Sequence, residues 1–319
     1  MVKIMHTLAA ATMAAVASLS IATDAHATAR SVSTTTVYRT VTVDGLKIFY
    51  REAGPKDAPT ILLLHGYPSS SRMFATLIPL LADRYHLVAP DYPGFGQSDA
   101  PPASQFEYTF DHLAGIIDQF TQQIGLKNYV LYQQDYGGPI GMRLAVAHPD
   151  RLRGIIVQNA VAHEDGLGPA WDIRRAFWKD RAAYEEKVIP GFTSTEGAKV
   201  RHVGSSPNPE RYDPELWEIE GAQLARPGQR QIQSDLFFSY QTNVERYPAW
   251  QAWLKQNHPP LLVLWGKYDP SFALQEAEAY RRDVPDAEVH ILDAGHFALD
   301  EEVDEAATLI RGFLIKHGL

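Results

Sequence analysis

The sequence of 319 residues contains no cysteine. Disulfide bridges, thiolate nucleophiles and cysteine-ligated zinc are therefore excluded. Basic residues are also few, since 29 lysines and arginines stand against 38 aspartates and glutamates, for a net charge of −9. Nucleic acids and anionic membranes bind basic patches, so neither is expected as a partner. No HExxH motif or paired-ligand spacing occurs, and we expect no metal and no cofactor.

No apolar run is long enough for a stable membrane span, and the candidate for one is a short Ala-rich stretch near the N-terminus. Residues 1–27 begin with Lys3, continue through this stretch and end on Ala25, His26 and Ala27. A basic start, an apolar middle and an A-x-A site are typical of a signal peptide. The stretch is interrupted by Thr and Ser and is short for a stable membrane span. We therefore expect residues 1–27 to be removed and the mature protein to be secreted or periplasmic.

The remaining chain alternates between predicted strands and helices. Two alternating runs around Asp44 and Gly45 predict a hairpin. Six continuous apolar runs predict buried strands, and helical patterns lie between most of them, as in a mostly parallel sheet flanked by helices. These runs cover residues 60–66, 85–91, 129–134, 152–160, 261–266 and 288–293. The alternation stops over residues 162–253, which predict a helical lid inserted into a core of residues 28–161 and 254–319.

Ligands of such sheets bind at the carboxyl ends of the strands, so the residues that follow each run are candidates for a site. In QQDYGG, Asp135 lies on a strand-to-helix turn that displays one side chain, although Gln133 stands where glycine is usual. An aspartate that merely caps the helix is the alternative. Asp269 in WGKYDP and His296 in AGHF follow the last two strands. The chain order of a nucleophile (Asp135), an acid (Asp269) and a histidine (His296) is the order of the catalytic triad in α/β-hydrolases.

A loop of sequence HGYP follows the first buried strand. A backbone N–H of this loop and the N–H after the nucleophile can together bind an oxyanion. The sequence therefore predicts an oxyanion hole formed by the main chains of Tyr67 and Tyr136.

Together, HGYP, DYPGFGQSD, QQDYGG, WGKYDP and AGHF resemble the α/β-hydrolase superfamily. An aspartate at the turn resembles its epoxide hydrolase and haloalkane dehalogenase families. The resemblance implies the α/β-hydrolase fold with an inserted lid and a small, apolar substrate. A carboxylate attacks an sp³ carbon and leaves an alkyl ester, so Asp135 would be the nucleophile. His296, oriented by Asp269, would then activate the water that hydrolyses this ester.

The leaving group distinguishes the two families. In epoxide hydrolases, lid tyrosines donate a proton to the epoxide oxygen. The segment FFSYQTNVERYPAW resembles the part of the lid that carries one of them, which nominates Tyr240, with Tyr184 as a candidate for the second. Packing alone is the alternative explanation for Tyr240.

Dehalogenases instead hold the halide with N–H donors. They usually have Trp after the nucleophile and Asn in the HG-x-P position, where this sequence has Tyr136 and Tyr67. Trp171 or Trp178 in the predicted lid could supply one donor. Some relatives carry the triad acid after the strand that follows the nucleophile, but this sequence has Asn159 there, which supports Asp269.

Three hypotheses remain. We favour a hydrolase that opens an epoxide through an ester on Asp135. A haloalkane or haloacid dehalogenase using the same triad is the alternative. A non-catalytic, hydrolase-like binding protein is the third, and the intact set of Asp135, Asp269 and His296 argues against it.

Overall fold

The computed structural model describes residues 34–319, and the predicted signal peptide lies outside these residues. Eight strands form one sheet in the order β1-β2-β4-β3-β5-β6-β7-β8. The pairs β1–β2 and β2–β4 are antiparallel and the other five pairs are parallel, which confirms the predicted mostly parallel sheet. The strands are Val37–Val43 (β1), Leu46–Ala53 (β2), Thr60–Leu64 (β3), His86–Pro90 (β4), Tyr129–Gln134 (β5), Leu152–Gln158 (β6), Leu261–Gly266 (β7) and Glu288–Leu292 (β8).

Helices flank the sheet. In the described part of the chain they are Leu77–Leu81 (α1), Phe110–Gln123 (α2), Gly137–Ala147 (α3), Asp172–Lys179 (α4), Arg181–Phe192 (α5), Thr195–Val203 (α6), Glu215–Leu224 (α7), Gln229–Ser239 (α8), Gln241–Asn257 (α9), Gln275–Asp283 (α10) and Val303–Lys316 (α11). Over residues 34–319, none of them combines the length and hydrophobicity needed to cross a bilayer.

The first two strands form the predicted hairpin. Asp44 and Gly45 both have positive φ, at 47° and 77°, which is the requirement of a type I′ turn. The flanking residues Val43 and Leu46 pair directly across the turn. The turn sequence thus sets the register of the pair.

The strands in the middle of the sheet are buried on both faces. In β3, Ile61 and Leu63 pack into one hydrophobic cluster, whereas Leu62 and Leu64 pack into a second cluster on the opposite face. All four side chains are at most 1% exposed. Burial on both faces explains why the strand reads as a continuous apolar run rather than an alternating one.

Helices α4–α9 lie between β6 and β7, and the described chain forms no strand in this interval. We call residues 162–257 the helical insertion. Helix α9 continues to Asn257, past the predicted boundary at residue 253. It ends where His258 adopts a left-handed conformation (φ 41°) and two prolines follow, which cannot extend a helix. The role of the insertion as a lid stays a prediction.

Candidate active site

A tight turn between β5 and α3 presents Asp135. Its φ is 45°, which is strained for a residue other than glycine, and its side chain is 4% exposed. At two nearby glycines, Gly137 and Gly66, neighbouring atoms lie too close for a residue with a side chain. A Cβ on Gly137 would lie 2.1 Å from the Leu64 carbonyl oxygen, and a Cβ on Gly66 would lie 2.4 Å from the Cβ of Asp135. Strain of this kind clusters at functional sites, where the surrounding structure maintains it.

The helix makes room for the unusual Gln133. A Cβ on Gly141, one turn into α3, would lie 2.6 Å from the Gln133 amide nitrogen. Because residue 141 is glycine, the side chain of Gln133 has room, and position 133 itself need not be glycine.

The two oxygens of the Asp135 carboxylate have different neighbours. Oδ1 accepts a hydrogen bond of 2.8 Å from the backbone N–H of Tyr67, and Oδ2 lies 3.6 Å from His296 Nε2. Burial alone would raise the pKa of Asp135, but His296, the Arg201 charge and the Tyr67 N–H together lower it. The carboxylate is therefore ionised at neutral pH, as a nucleophile must be.

On the other side of the imidazole ring, His296 Nδ1 lies 2.8 Å from Asp269 Oδ2. The second oxygen of Asp269 accepts hydrogen bonds from the backbone N–H groups of Ser271 and Phe272, at 2.6 and 3.0 Å. These bonds fix the carboxylate, and the carboxylate in turn fixes the ring orientation of His296.

Asn159 at the end of β6 also holds the acid in place. Its Nδ2 donates to Asp269 Oδ2 at 2.8 Å, and its Oδ1 accepts from the Gly266 N–H at 2.8 Å. Its φ of 42° is again left-handed. Asn159, which follows β6, therefore holds Asp269, which follows the neighbouring strand β7, in position.

His296 is fully buried, and burial disfavours its charged form. The two flanking carboxylates, Asp269 and Asp135, outweigh that effect and raise the pKa of His296 to about 9. Both carboxylates therefore favour the protonated form of His296.

Gln134 is a site residue that the sequence reasoning missed. Its amide nitrogen lies 3.1 Å from His296 Nε2 and donates to the His296 carbonyl at 3.3 Å. A polar residue closing an apolar strand directly before Asp135 was the available signal.

Two phenol groups, those of Tyr136 and Tyr240, interact electrostatically with Asp135. Tyr240 and Tyr136 are 1% and 3% exposed, and their ring centroids are 6.0 Å apart. Burial, with the charge of Asp135 among the further causes, raises both pKa values well above the usual range, so both hydroxyls carry their protons. Within residues 34–319 the Tyr136 hydroxyl has no hydrogen-bond partner. The backbone N–H of Tyr136 is the predicted oxyanion donor, and its hydroxyl is a further candidate site group.

The structure separates the other predicted substrate residues. Trp178 stacks on Tyr240 at 6.0 Å, but its indole N–H donates to the Phe237 carbonyl at 2.9 Å. The Trp171 N–H likewise donates to the Ser271 carbonyl, at 2.7 Å. Tyr184 is not part of this group. It packs in a separate aromatic cluster of the insertion, under the ammonium group of a lysine.

Two arginines of the insertion border the site and were also missed. Arg201 lies 4.8 Å from the Tyr67 ring, and Arg174 lies 4.2 Å from the Trp171 ring. Nothing in the sequence distinguishes these two arginines from arginines on the exposed face of any surface helix.

The structure therefore brings together the predicted Asp135, Asp269 and His296, with Tyr67 and its N–H beside the nucleophile. A buried, ionised carboxylate, a histidine held by a second carboxylate and an N–H donor form a site for nucleophilic hydrolysis. Residues 59–303 match the family model described as the alpha/beta hydrolase fold, so the chain belongs to this family.

Known proteins agree with this assignment. An uncharacterized hydrolase of Saccharomyces cerevisiae is 40% identical over 264 residues, which cover 82% of this chain and 90% of that protein. A haloalkane dehalogenase of Psychrobacter cryohalolentis is 40% identical over 117 residues, only 36% of this chain and 38% of that enzyme. The crystal structure of a loop variant of the haloalkane dehalogenase DbeA from Bradyrhizobium elkanii superposes with a TM-score of 0.73 at 21% identity, covering 89% of this chain and 98% of that one. This last likeness concerns the fold.

Proposed function

We propose that this hydrolase opens an epoxide through a covalent alkyl ester on Asp135, which water activated by His296 then hydrolyses. One observation carries the proposal. An ionised aspartate occupies the displayed turn, with a backbone N–H on one oxygen and a histidine facing the other. A carboxylate in that position suits an sp³ carbon, where a serine would suit an acyl carbon.

In the first step, Asp135 Oδ2 attacks an epoxide carbon and forms an ester bond. The carbon–oxygen bond of the strained ring breaks, and its electron pair goes to the departing oxygen. The Tyr240 or Tyr136 hydroxyl donates a proton to this alkoxide, which leaves a hydroxyl group on the alkyl chain. Burial of both phenols beside the nucleophile supports this role.

In the second step, His296 takes a proton from water and the resulting hydroxide attacks the carboxyl carbon of the ester. Oδ1 becomes the oxyanion, and the Tyr67 N–H already bonds to this atom at 2.8 Å. The predicted N–H of Tyr136 would be the second donor. Collapse of the intermediate breaks the ester carbon–oxygen bond, and the departing alkoxide takes the proton of the new carboxyl group, which releases the diol and restores the carboxylate.

Ester formation also prepares the base for its task. Once Asp135 is esterified it carries no charge, so one of the two carboxylates that stabilise the imidazolium is lost. The pKa of His296 then falls, and the imidazolium gives up its proton to the phenolate left by the first step, so that the neutral ring is a base at neutral pH.

A haloalkane or haloacid dehalogenase is the second candidate, favoured by the names of several relatives. Halide release needs N–H donors at the leaving group. The two nearest indoles, Trp171 and Trp178, already donate to backbone carbonyls, whereas two buried hydroxyls are present. This difference favours the epoxide. The intact triad speaks against a non-catalytic binding protein.

The test uses the His296→Gln variant, which can form the ester but lacks the base that removes it. The variant is incubated with panels of epoxides and haloalkanes, and intact-mass spectrometry followed by peptide mapping locates any adduct. We expect an epoxide adduct on Asp135 and none in the double variant that also carries Asp135→Asn. Diol without free halide from the wild type supports the epoxide hydrolase, and halide release supports the dehalogenase. Turnover by the wild type without any adduct on Asp135 rejects the mechanism.

We further propose that the protein is exported, on the strength of the signal-peptide pattern in residues 1–27. N-terminal sequencing of the protein recovered outside the cytoplasm should begin at Thr28. Recovery of the intact N-terminus in the cytoplasm contradicts this proposal.

A further inference from the structure

A cavity of about 310 Å³ borders the triad on the side of the helical insertion. It shares walls with the site, because Ser271 lines the cavity while its N–H holds Asp269, and Phe192 lines it while stacking on Tyr67 at 4.2 Å. Of the described residues that line the cavity, three are cationic and none is acidic. They are Arg174, Lys187 and Arg201.

Arg201 is buried without a carboxylate in direct contact. It is 8% exposed, and across residues 34–319 no carboxylate lies within 4 Å of its guanidinium. Its Nη1 donates to the Ser271 hydroxyl at 3.2 Å, and its Nε has no partner in the described chain. Arg143, whose side chain is 8% exposed, is by contrast paired with Asp111. Buried cations are ordinarily paired in this way, because an unpaired charge is costly to bury.

Arg174 also lines the cavity and is partly exposed. Its guanidinium lies over the Trp171 ring at 4.2 Å and near the Phe237 ring at 5.5 Å, and it too has no carboxylate within 4 Å in the described chain. Burial and then the charge of Arg201 lower the pKa of Arg174 to about 10. The two arginines therefore repel each other, and a bound anion would offset this repulsion.

We propose that Arg201 and Arg174 bind the carboxylate of an anionic substrate whose electrophilic carbon reaches Asp135. The substrate class is then a carboxylic acid with an epoxide several bonds away, because Arg201 contacts the ring of Tyr67, whereas Asp135 contacts the backbone N–H of the same residue. Guanidinium groups suit this ligand, since they bind carboxylates in a planar, two-bonded geometry. The apolar lining of the cavity accommodates the connecting chain. This inference rests on the proposed function for the chemistry at Asp135 but not for the binding of the anion.

The binding arm uses unreactive ligands. Butanoate, hexanoate and benzoate are titrated against their primary amides by calorimetry on the wild type, Arg201→Gln, Arg174→Gln and Lys199→Gln. Lys199 is the matched control, because it is exposed on the same helix as Arg201 and does not line the cavity. We expect the wild type and the control to prefer carboxylates over amides, and each arginine variant to lose this preference by roughly ten- to hundredfold. Equal affinity of the wild type for acid and amide overturns the proposal, as does unchanged carboxylate binding by both folded arginine variants.

The kinetic arm uses terminal epoxy carboxylates of increasing chain length and their amides. The arginine variants should raise KM for the acids by a larger factor than for the amides, so that the acid-over-amide ratio of kcat/KM falls. An equal loss for acids and amides means that the arginines serve Asp135 rather than the substrate, and overturns the proposal. Arg201→Lys, which keeps the charge, should restore part of the preference and guards against a folding defect. If carboxylates bind through the arginines but no electrophile alkylates Asp135, the anion site stands and the proposed reaction fails.

Discussion

Replacing Asp135 with Asn should lower the pKa of His296, because the substitution removes one of the two charges that stabilise the imidazolium. The Asp135 Oδ2 atom lies 3.6 Å from His296 Nε2. At an effective dielectric constant of about 20, two unit charges at this distance attract by roughly 4–5 kcal/mol, equivalent to about three pKa units. The amide oxygen still accepts a hydrogen bond and Asp269 remains at 2.8 Å, so we expect a smaller fall of about two units from about 9.

Ring nitrogen shifts in protein labelled with ¹⁵N-histidine measure this directly between pH 5 and 10. The chain has 12 histidines, and the His296→Gln variant identifies the signal of interest. Glu305→Gln on the exposed face of α11 removes an equal charge elsewhere and should leave the titration unchanged. A pKa of His296 in the Asp135→Asn protein equal to or above that of the wild type refutes the account of how esterification switches on the base.

Three further predictions follow from the same geometry. Asp269→Asn should reduce kcat by about 10²- to 10⁴-fold. Adding Asn159→Asp should restore at least about tenfold of this loss, since Asn159 Nδ2 lies 2.8 Å from the oxygen that is lost. Steady-state rates measure both effects, and no recovery contradicts the role of position 159 in supporting the acid. Tyr240→Phe and Tyr136→Phe should each slow adduct formation with epoxides by about 10²-fold, while Tyr184→Phe has no effect. Rapid-quench mass spectrometry measures these rates, and an equal effect of all three variants contradicts the assignment of the two acids. His202, which lies 2.7 and 2.9 Å from two carboxylates, has its pKa raised to about 10, so its contribution to stability is complete below pH 6.5 and is lost as the pH rises through about 10. Urea unfolding should show this decline in the wild type and a flatter profile in His202→Gln, and parallel profiles contradict it.

The sheet was predictable from the sequence because burial on both faces produces continuous apolar runs. Each of the six runs from residue 60 onward became a strand, and the hairpin formed at Asp44 and Gly45. The boundary of the helical insertion was predicted less well. Helix α9 runs through residue 253, because its end depends on His258 and the prolines that follow rather than on the loss of the helical pattern.

The triad residues were brought together as their positions after the strands suggested, since carboxyl ends of parallel strands meet at one edge. The residues that the sequence reasoning missed depend on tertiary contacts. Gln134 reaches His296 across the sheet edge, and Arg174 and Arg201 approach the site only through the packing of the insertion. Neither periodicity nor a motif marks such side chains. Tyr184 was nominated by type alone and packs elsewhere.

The central claim is that Asp135 itself becomes esterified and that water then attacks its carboxyl carbon. A single turnover in H₂¹⁸O, with enzyme in excess over an epoxide that it converts, tests this claim directly. The account predicts a diol without the label and one ¹⁸O atom in the peptide that carries Asp135. Label in the diol of the first turnover, with an unlabelled Asp135 peptide, means that water attacks the substrate directly and contradicts the account.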